Sequence, residues 1–192
     1  PFELNLGGHQ RTVLEIIEHF KDMPRLEITV ITTTKSSLKQ LTPNHLYSNI
    51  VLYEIPIKKE WFENQDLLYD NRNFLYETVK KIYENIKHPI TLVHSTYWIS
   101  GLLASQLCIE YHLTQIHSVI STSCERKRNG FSPVSSHQYE SEQFFLPKVD
   151  RIISITESEY ELLIEKYHIE PHKIIVVGRT VADCFLRPAH LP

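Results

Sequence analysis

Residues 90–101 read Ile90-Thr-Leu-Val-His-Ser-Thr-Tyr-Trp-Ile-Ser-Gly101 and are the stretch that indicates the fold. An apolar run up to Val93 predicts a buried strand, and the turn that starts at His94 leads directly into an apolar helix pattern. In open α/β sheets, ligands bind beyond the carboxyl ends of the strands, where this turn would lie. Its histidine, hydroxyls, tyrosine and tryptophan suit the hydroxyls and flat faces of a sugar.

The bulk composition is that of an ordinary globular protein. The 192 residues are 42% hydrophobic and 22% charged, and the formal net charge of −3 predicts no general attraction to nucleic acid. The 11 histidines are scattered without metal-ligand spacing, so no metal is expected. The three cysteines lie far apart, which favours a reducing compartment, and no apolar stretch is long enough to span a bilayer. We therefore expect a cytoplasmic protein, with peripheral membrane contact left open.

Strand and helix patterns alternate along the chain. Strands are predicted at 27–33, 50–55, 90–94, 116–121, 151–155 and 173–177. Helices are predicted at 13–20, 62–86, 100–111 with Ser100 as the cap, 136–146, and after a capping box at 156–159. Residues 35–45 and the basic residues 123–133 are predicted loops. Because most strands are continuous apolar runs, we expect a mainly parallel sheet with helices on both faces.

The domain organisation predicted from these elements is simple. Residues 1–185 read as one domain whose first strand is missing before Pro1, because a fold of this kind normally starts with a strand. Residues 186–192 read as the start of a linker to a further domain.

Several candidate functional residues fall at the predicted sheet edge. Gly7-Gly8 precedes the first helix, where paired glycines allow a phosphate to approach the helix N-terminus; a plain tight turn is the alternative. Arg126-Lys127-Arg128 forms either an anion clamp or an ordinary solvated surface, and Arg179 follows the last strand.

The aromatic turn contributes three further candidates. We expect Tyr97 to face the sheet edge and Trp98 to pack in the core. His94 reads more readily as a core histidine than as a catalytic base. The sequence has no Gly-x-Ser-x-Gly, P-loop, Gly-x-Gly-x-x-Gly or His-Glu-x-x-His motif, which argues against the corresponding hydrolases, NTPases, dinucleotide enzymes and zinc proteases.

Three blocks of sequence resemble the N-terminal domain of the family-4 retaining glycosyltransferases, which have the GT-B fold. Residues 7–15 resemble Gly-Gly-Ala-Glu-Arg-x-Val-Leu-Glu, and residues 94–101 resemble His-x-His-Tyr-Trp-x-Ser-Gly. Residues 150–177 resemble Asp-Arg-Ile-Ile-x-x-Thr followed by Glu, Leu, Tyr and Lys-Ile-x-Val-Val. Sucrose-phosphate synthases and mycothiol-type glycosyltransferases are relatives within this family.

The resemblance implies a Rossmann-like, three-layer α/β/α domain that forms the N-terminal half of a two-domain enzyme. Donor binding is implied for Gly7 and Gly8, near the diphosphate, and for Ser123, at the place of a family histidine that contacts the donor sugar. Acceptor binding is assigned to a larger set: His94, Tyr97, Arg126, Lys127, Arg128 and Arg179. The chain departs from the family at Thr96, which replaces the second histidine, and at Gln138-Tyr139, where relatives with phosphorylated acceptors carry an arginine.

The predicted function is the acceptor-binding half of a glycosyltransferase that moves a sugar from a nucleotide-activated donor to a hydroxyl-bearing acceptor. By the resemblance, the absent C-terminal domain holds the donor, so the chain alone is expected to be inert. No cofactor is implied beyond the nucleotide sugar as substrate. Two alternatives stay open: a non-catalytic sugar- or glycan-binding or regulatory module, and a nucleotide-sugar epimerase of the same fold.

Overall fold

Alternating helices and strands build two units. The computed structural model describes residues 8–35, 41–133 and 135–178. The units are divided between Pro89 and Ile90. Among the helices in the described segments, none is long and apolar enough to cross a membrane.

The first unit contains a three-stranded sheet with the order β1-β3-β2. Helix α1 (Gly8–Phe20) leads to β1 (Ile28–Thr34), β2 (Asn44–Tyr47) and β3 (Ile50–Pro56). Strands β1 and β3 run parallel, with Ile28 opposite Ile50, and β2 is antiparallel to β3. The predicted helix and both predicted strands are confirmed. The predicted loop at 35–45 is wrong at its end, because β2 begins at Asn44 and pairs along the edge of β3.

The predicted helix at 62–86 is three helices: α2 (Lys59–Glu63), α3 (Gln65–Asp70) and α4 (Arg72–Asn85). Two asparagines explain the breaks. The side chain of Asn64 accepts from the backbone N–H groups of Asp66 and Leu67 and so starts α3 as an N-cap. Asn71 stands between α3 and α4, and its amide donates to the Leu67 carbonyl at the end of α3.

The second unit is a four-stranded parallel sheet with the order β4-β5-β6-β7. Its strands are β4 (Val93–Thr96), β5 (Gln115–Ser118), β6 (Arg151–Ser154) and β7 (Ile174–Val176). Its helices are α5 (Trp98–Tyr111), α6 (Ser123–Arg128), α7 (Gln138–Phe145) and α8 (Glu157–Tyr167), with 3₁₀ turns at Leu146–Lys148 and Pro171–Lys173. The parallel, Rossmann-like arrangement agrees with the predicted fold class.

Helix α5 forms the core of this unit. It packs against β4, β5 and α7, and its buried residues include Trp98, Leu102, Leu103 and Leu107. A helix that is apolar nearly all round is buried nearly all round. Trp98 is 2% exposed, so it packs in the core as predicted.

Three sequence predictions for this unit need correction. Ser100 does not cap α5, because the helix already begins at Trp98 and the Ser100 hydroxyl donates back to the carbonyls of Thr96 and Tyr97. The predicted loop at 123–133 begins with α6, whose N-cap is Thr122. The capping box at 156–159 is half formed: the Thr156 hydroxyl accepts from the Glu159 N–H, but the Glu159 carboxylate accepts from the Ile155 N–H.

Candidate functional site

The carboxyl ends of neighbouring strands in the second unit lie side by side. Thr96 pairs with Ser118, and Ser118 pairs with Ile153, so the segments that follow β4, β5 and β6 leave the sheet at the same edge. The segments at 94–98 and 121–128, which hold several of the candidate residues, therefore lie at neighbouring strand ends. The predicted contributions of Gly7 and Arg179 fall outside the described residues.

A pocket of about 220 Å³, open to solvent, lies at this edge. It is formed by the first residues of α5, by the end of β5 and the turn after it, and by one face of α7. The residues that line it are Tyr97, Trp98, His117, Val119, Ile120, Ser121, Thr122, Glu142, Phe145 and Leu146. This volume includes space open to solvent, so the pocket is a shallow recess with room for about one hydroxyl group or water molecule and not for a whole sugar ring.

Tyr97 has an unusual backbone conformation at the mouth of this pocket. Its φ of 73° and ψ of 151° lie in a region that glycine adopts freely and other residues occupy at a cost of about 1–3 kcal/mol. The half-buried ring is tilted against Trp98, with 6.4 Å between ring centroids. Tyr97 thus makes the sharp turn from β4 into α5 and places an aromatic ring on the pocket wall.

Tyr97→Gly is expected to be more stable than Tyr97→Ala by about 1–2 kcal/mol. Both variants lose the ring, but only glycine relieves the backbone strain. At most positions the order is reversed, because glycine loses more conformational freedom on folding. Urea denaturation of the two variants checks this, and an alanine variant as stable as the glycine variant would contradict it.

Two histidines lie on the neighbouring strands β4 and β5, and their surroundings differ. His94 lies within β4 with its side chain reaching solvent, and its Nε2 is 2.8 Å from the Ser118 hydroxyl. The prediction of a core histidine at this position is therefore wrong. Protein atoms on the other side of the ring still desolvate it and lower the pKa of His94. The buried histidine is His117 on β5, which is 3% exposed.

Glu142 is a buried carboxylate that joins three helices. It accepts from the Ser123 N–H at the start of α6 (2.9 Å), from Gln138 Nε2 on α7 (2.8 Å) and from the Tyr167 hydroxyl on α8 (2.6 Å). Burial is the main effect on its pKa and raises it to about 7, although these three hydrogen bonds act in the opposite direction. Gln138 is fully buried, and it also donates to the Ser121 carbonyl at 3.1 Å.

The three basic residues predicted to bind the acceptor lie at the end of α6 and do not line this pocket. Arg126 Nε donates to the Ser132 carbonyl at 2.9 Å, and its guanidinium lies near the Phe131 ring. Arg128 donates to the Ser158 hydroxyl. Arg126 therefore holds the loop that follows α6, and Arg128 links the end of α6 to the start of α8.

Of the other candidates, Tyr97 lines the pocket and His94 lies behind it. Ser123 is 6% exposed as the first residue of α6, and Gly8 is the first residue of α1 in the other unit. Sequence reasoning missed His117 and Glu142, and it named Gln138 only as a departure from the family. The available signal was the spacing of Gln138, Ser141, Glu142 and Phe145 at i, i+3, i+4 and i+7, which is a buried helix face that carries polar residues.

Comparisons with known proteins agree with this architecture. A family profile described as Glycosyltransferase Family 4 matches residues 6–182. The D-inositol 3-phosphate glycosyltransferase of Kineococcus radiotolerans is 28% identical over 101 residues, which are 51% of this chain and 23% of that protein. The chain thus spans about a quarter of the length of this relative.

Solved structures share the fold. Sucrose-phosphate synthase from Thermosynechococcus elongatus superposes with a TM-score of 0.69 at 15% identity, over 92% of this chain and 43% of that one. A second solved chain of that synthase gives a TM-score of 0.62 at 13% identity, over 88% of this chain and 84% of that one. At these identities the likeness concerns the fold alone.

Proposed function

Because the chain belongs to glycosyltransferase family 4, we propose that it is the acceptor-side half of an enzyme that transfers a sugar from a nucleotide-activated donor to an acceptor hydroxyl. The transfer retains the configuration of the sugar. A second half, joined to this one in the whole protein, grips the donor. The chain alone binds the acceptor and catalyses no transfer.

The pocket at the strand ends is the observation that carries this proposal. Its wall combines an aromatic ring (Tyr97), a turn rich in hydroxyl groups (Ser121-Thr122) and one carboxylate (Glu142). Aromatic faces pack on the C–H faces of a sugar or cyclitol, while hydroxyls and a carboxylate bind its hydroxyls. A polyol acceptor also agrees with the name of the inositol phosphate glycosyltransferase to which the chain is similar.

The chemistry that such a half contributes is positioning. Holding the acceptor hydroxyl against the donor turns a bimolecular reaction into one between preoriented groups. Stabilisation of the departing diphosphate then falls to the donor-binding half. This division of roles requires no nucleophile from the described residues.

The test is to combine a binding experiment with an activity experiment. We expect NMR resonances of Tyr97 and Thr122 in the 192-residue chain to shift on titration with myo-inositol or glucose, and we expect no nucleoside diphosphate release from UDP-glucose or GDP-mannose. A protein that joins this chain to a donor-binding half should release nucleoside diphosphate from one member of a nucleotide-sugar panel. Turnover by the chain alone, or no response to any polyol, would contradict the proposal.

A second candidate, a sugar-binding module without catalysis, is favoured by Ser123. This residue replaces the family histidine that contacts the donor sugar, and it is 6% exposed, with its N–H bound to Glu142. Polyol binding by the joined protein, without turnover across the panel, would favour this candidate.

A further inference from the structure

His117 is held by a chain of hydrogen bonds that favours one position of its ring proton. Its Nδ1 lies 2.9 Å from the Ser95 hydroxyl, and that hydroxyl accepts from Gln115 Nε2 at 3.0 Å. Gln115 cannot be turned around without loss, because the same NH₂ group also donates to the Gly101 carbonyl at 3.2 Å. The Ser95 hydroxyl has two acceptors within reach, His117 Nδ1 at 2.9 Å and the Ile116 carbonyl at 3.4 Å, and His117 Nδ1 is the nearer. Donation to Nδ1 places the imidazole proton on Nε2.

His117 is one of the residues that line the pocket, and its Nε2–H makes no hydrogen bond to the described residues. The ring is locked by an edge-to-face contact with Phe145, with 5.0 Å between centroids. A rigid donor of this kind needs no reorganisation when a ligand oxygen arrives.

The charge of this wall selects the kind of ligand. Burial lowers the pKa of His117 to about 3, and nearby His94 acts in the same direction, so the ring stays neutral at physiological pH. The other titratable groups on the wall are Tyr97 and Glu142, and among the described residues the pocket lining has no lysine or arginine. Arg126 lies outside the lining, although its charge acts on the pKa of Tyr97 against the larger effect of burial. A phosphate in the pocket would therefore meet Glu142 without a lysine or arginine in the lining, whereas a hydroxyl or ether oxygen meets a neutral donor.

We propose that His117 is a specificity-determining residue whose Nε2–H binds an uncharged oxygen of a sugar or cyclitol, and that the pocket rejects the phosphorylated form of the same group. This rests on the proposed function in that the bound group belongs to the acceptor. The inference extends the proposed function by naming a donor atom and the charge of the ligand. By the resemblance to the family, Gln138-Tyr139 stand where relatives with phosphorylated acceptors often carry an arginine, which is consistent with this selection.

The experiment uses the 192-residue chain with its histidine side chains labelled with ¹⁵N. Long-range ¹H–¹⁵N spectra should show a neutral Nε2–H tautomer for His117 from pH 8 down to pH 5. Addition of myo-inositol or glucose should shift the Nε2 resonance, and glucose 6-phosphate should bind at least tenfold more weakly, as expected for an uncompensated charge. An Nδ1–H tautomer, protonation within this range, or equal binding of the phosphate would overturn the proposal.

Variants separate binding from folding. His117→Phe keeps a ring against Phe145 and removes the donor, and we expect about tenfold weaker binding of the polyol that binds best. His117→Gln keeps a donor on a more flexible side chain and should lose less; it also serves if the phenylalanine variant fails to fold. The exposed His172, changed to Gln, is the matched control and should leave binding unchanged.

The outcomes distinguish this inference from the function on which it rests. Polyol binding that His117→Phe weakens, without turnover by the joined protein, would refute transfer and retain the role of His117. Turnover with unchanged acceptor affinity in His117→Phe would refute the role of His117 and retain transfer. A wild-type chain that binds none of the polyols refutes the inference directly.

Discussion

Gly101→Ala is expected to lower the free energy of unfolding by about 2–3 kcal/mol. A Cβ atom at this position would lie 2.5 Å from Cε2 and Cζ of Phe145 and 2.8 Å from Cε1 of His117. Neither ring can move away easily, because Phe145 is fully buried and His117 is 3% exposed. The added methyl group must therefore push α5 away from α7 and β5.

The expected destabilisation is opposite in sign to the usual effect of replacing glycine by alanine in a helix. In the interior of an ordinary helix, glycine to alanine stabilises by about 1 kcal/mol, because alanine has the higher helix propensity. Gly178→Ala is the matched control, since a Cβ there meets nothing within 4 Å, and we expect a change within about 0.5 kcal/mol. Chemical denaturation of both variants decides the point. A Gly101→Ala variant as stable as the wild type would show that α5 lies farther from Phe145 than described.

The order of elements could be predicted from the sequence because their signals are local. β-Branched apolar runs marked the strands, and the spacing of Val13, Ile16, Ile17 and Phe20 marked α1. The breaks at Asn64 and Asn71 were missed, because the apolar spacing continues across both residues. An asparagine ends or starts a helix only where its side chain finds a backbone partner, and composition alone does not reveal that.

The candidate site was predictable only in outline. The sequence predicted Tyr97 at the sheet edge because this residue follows an apolar strand. A tyrosine in the sequence does not indicate a φ of 73°. His117 and Glu142 were missed because their partners are distant in sequence: Ser95 for the histidine, and Ser123 and Tyr167 for the carboxylate. Polar residues are normally predicted at the surface, and only tertiary structure reveals the partners that allow their burial.

Glu142→Ala is expected to destabilise the chain by about 3 kcal/mol at neutral pH. The substitution leaves the Ser123 N–H, the Gln138 amide and the Tyr167 hydroxyl without their acceptor in a buried place. Each unsatisfied buried group costs about 1–3 kcal/mol, partly offset here because the buried charge is removed as well. Glu142→Gln keeps one acceptor oxygen and should cost about half as much.

The pH dependence of stability tests the same carboxyl group independently. Its pKa is about 7 in the folded chain and 4.5 for a freely exposed glutamate, so the folded state holds the proton more tightly between these two values. The wild type should therefore gain stability relative to Glu142→Gln as the pH falls from about 7 to about 4.5, by an amount on the order of 3 kcal/mol.

His117 does not produce this difference, because its lowered pKa destabilises both proteins alike at acidic pH. Glu159 does contribute to it, because this carboxyl group, whose own pKa is raised by burial, lies close enough to Glu142 to repel its charge and loses that neighbour in Glu142→Gln. Urea denaturation from pH 4 to pH 8 measures the difference directly. If the difference in the free energy of unfolding between the wild type and Glu142→Gln stays constant, or grows as the pH rises, then Glu142 is not a buried carboxyl group with a raised pKa that connects α6, α7 and α8.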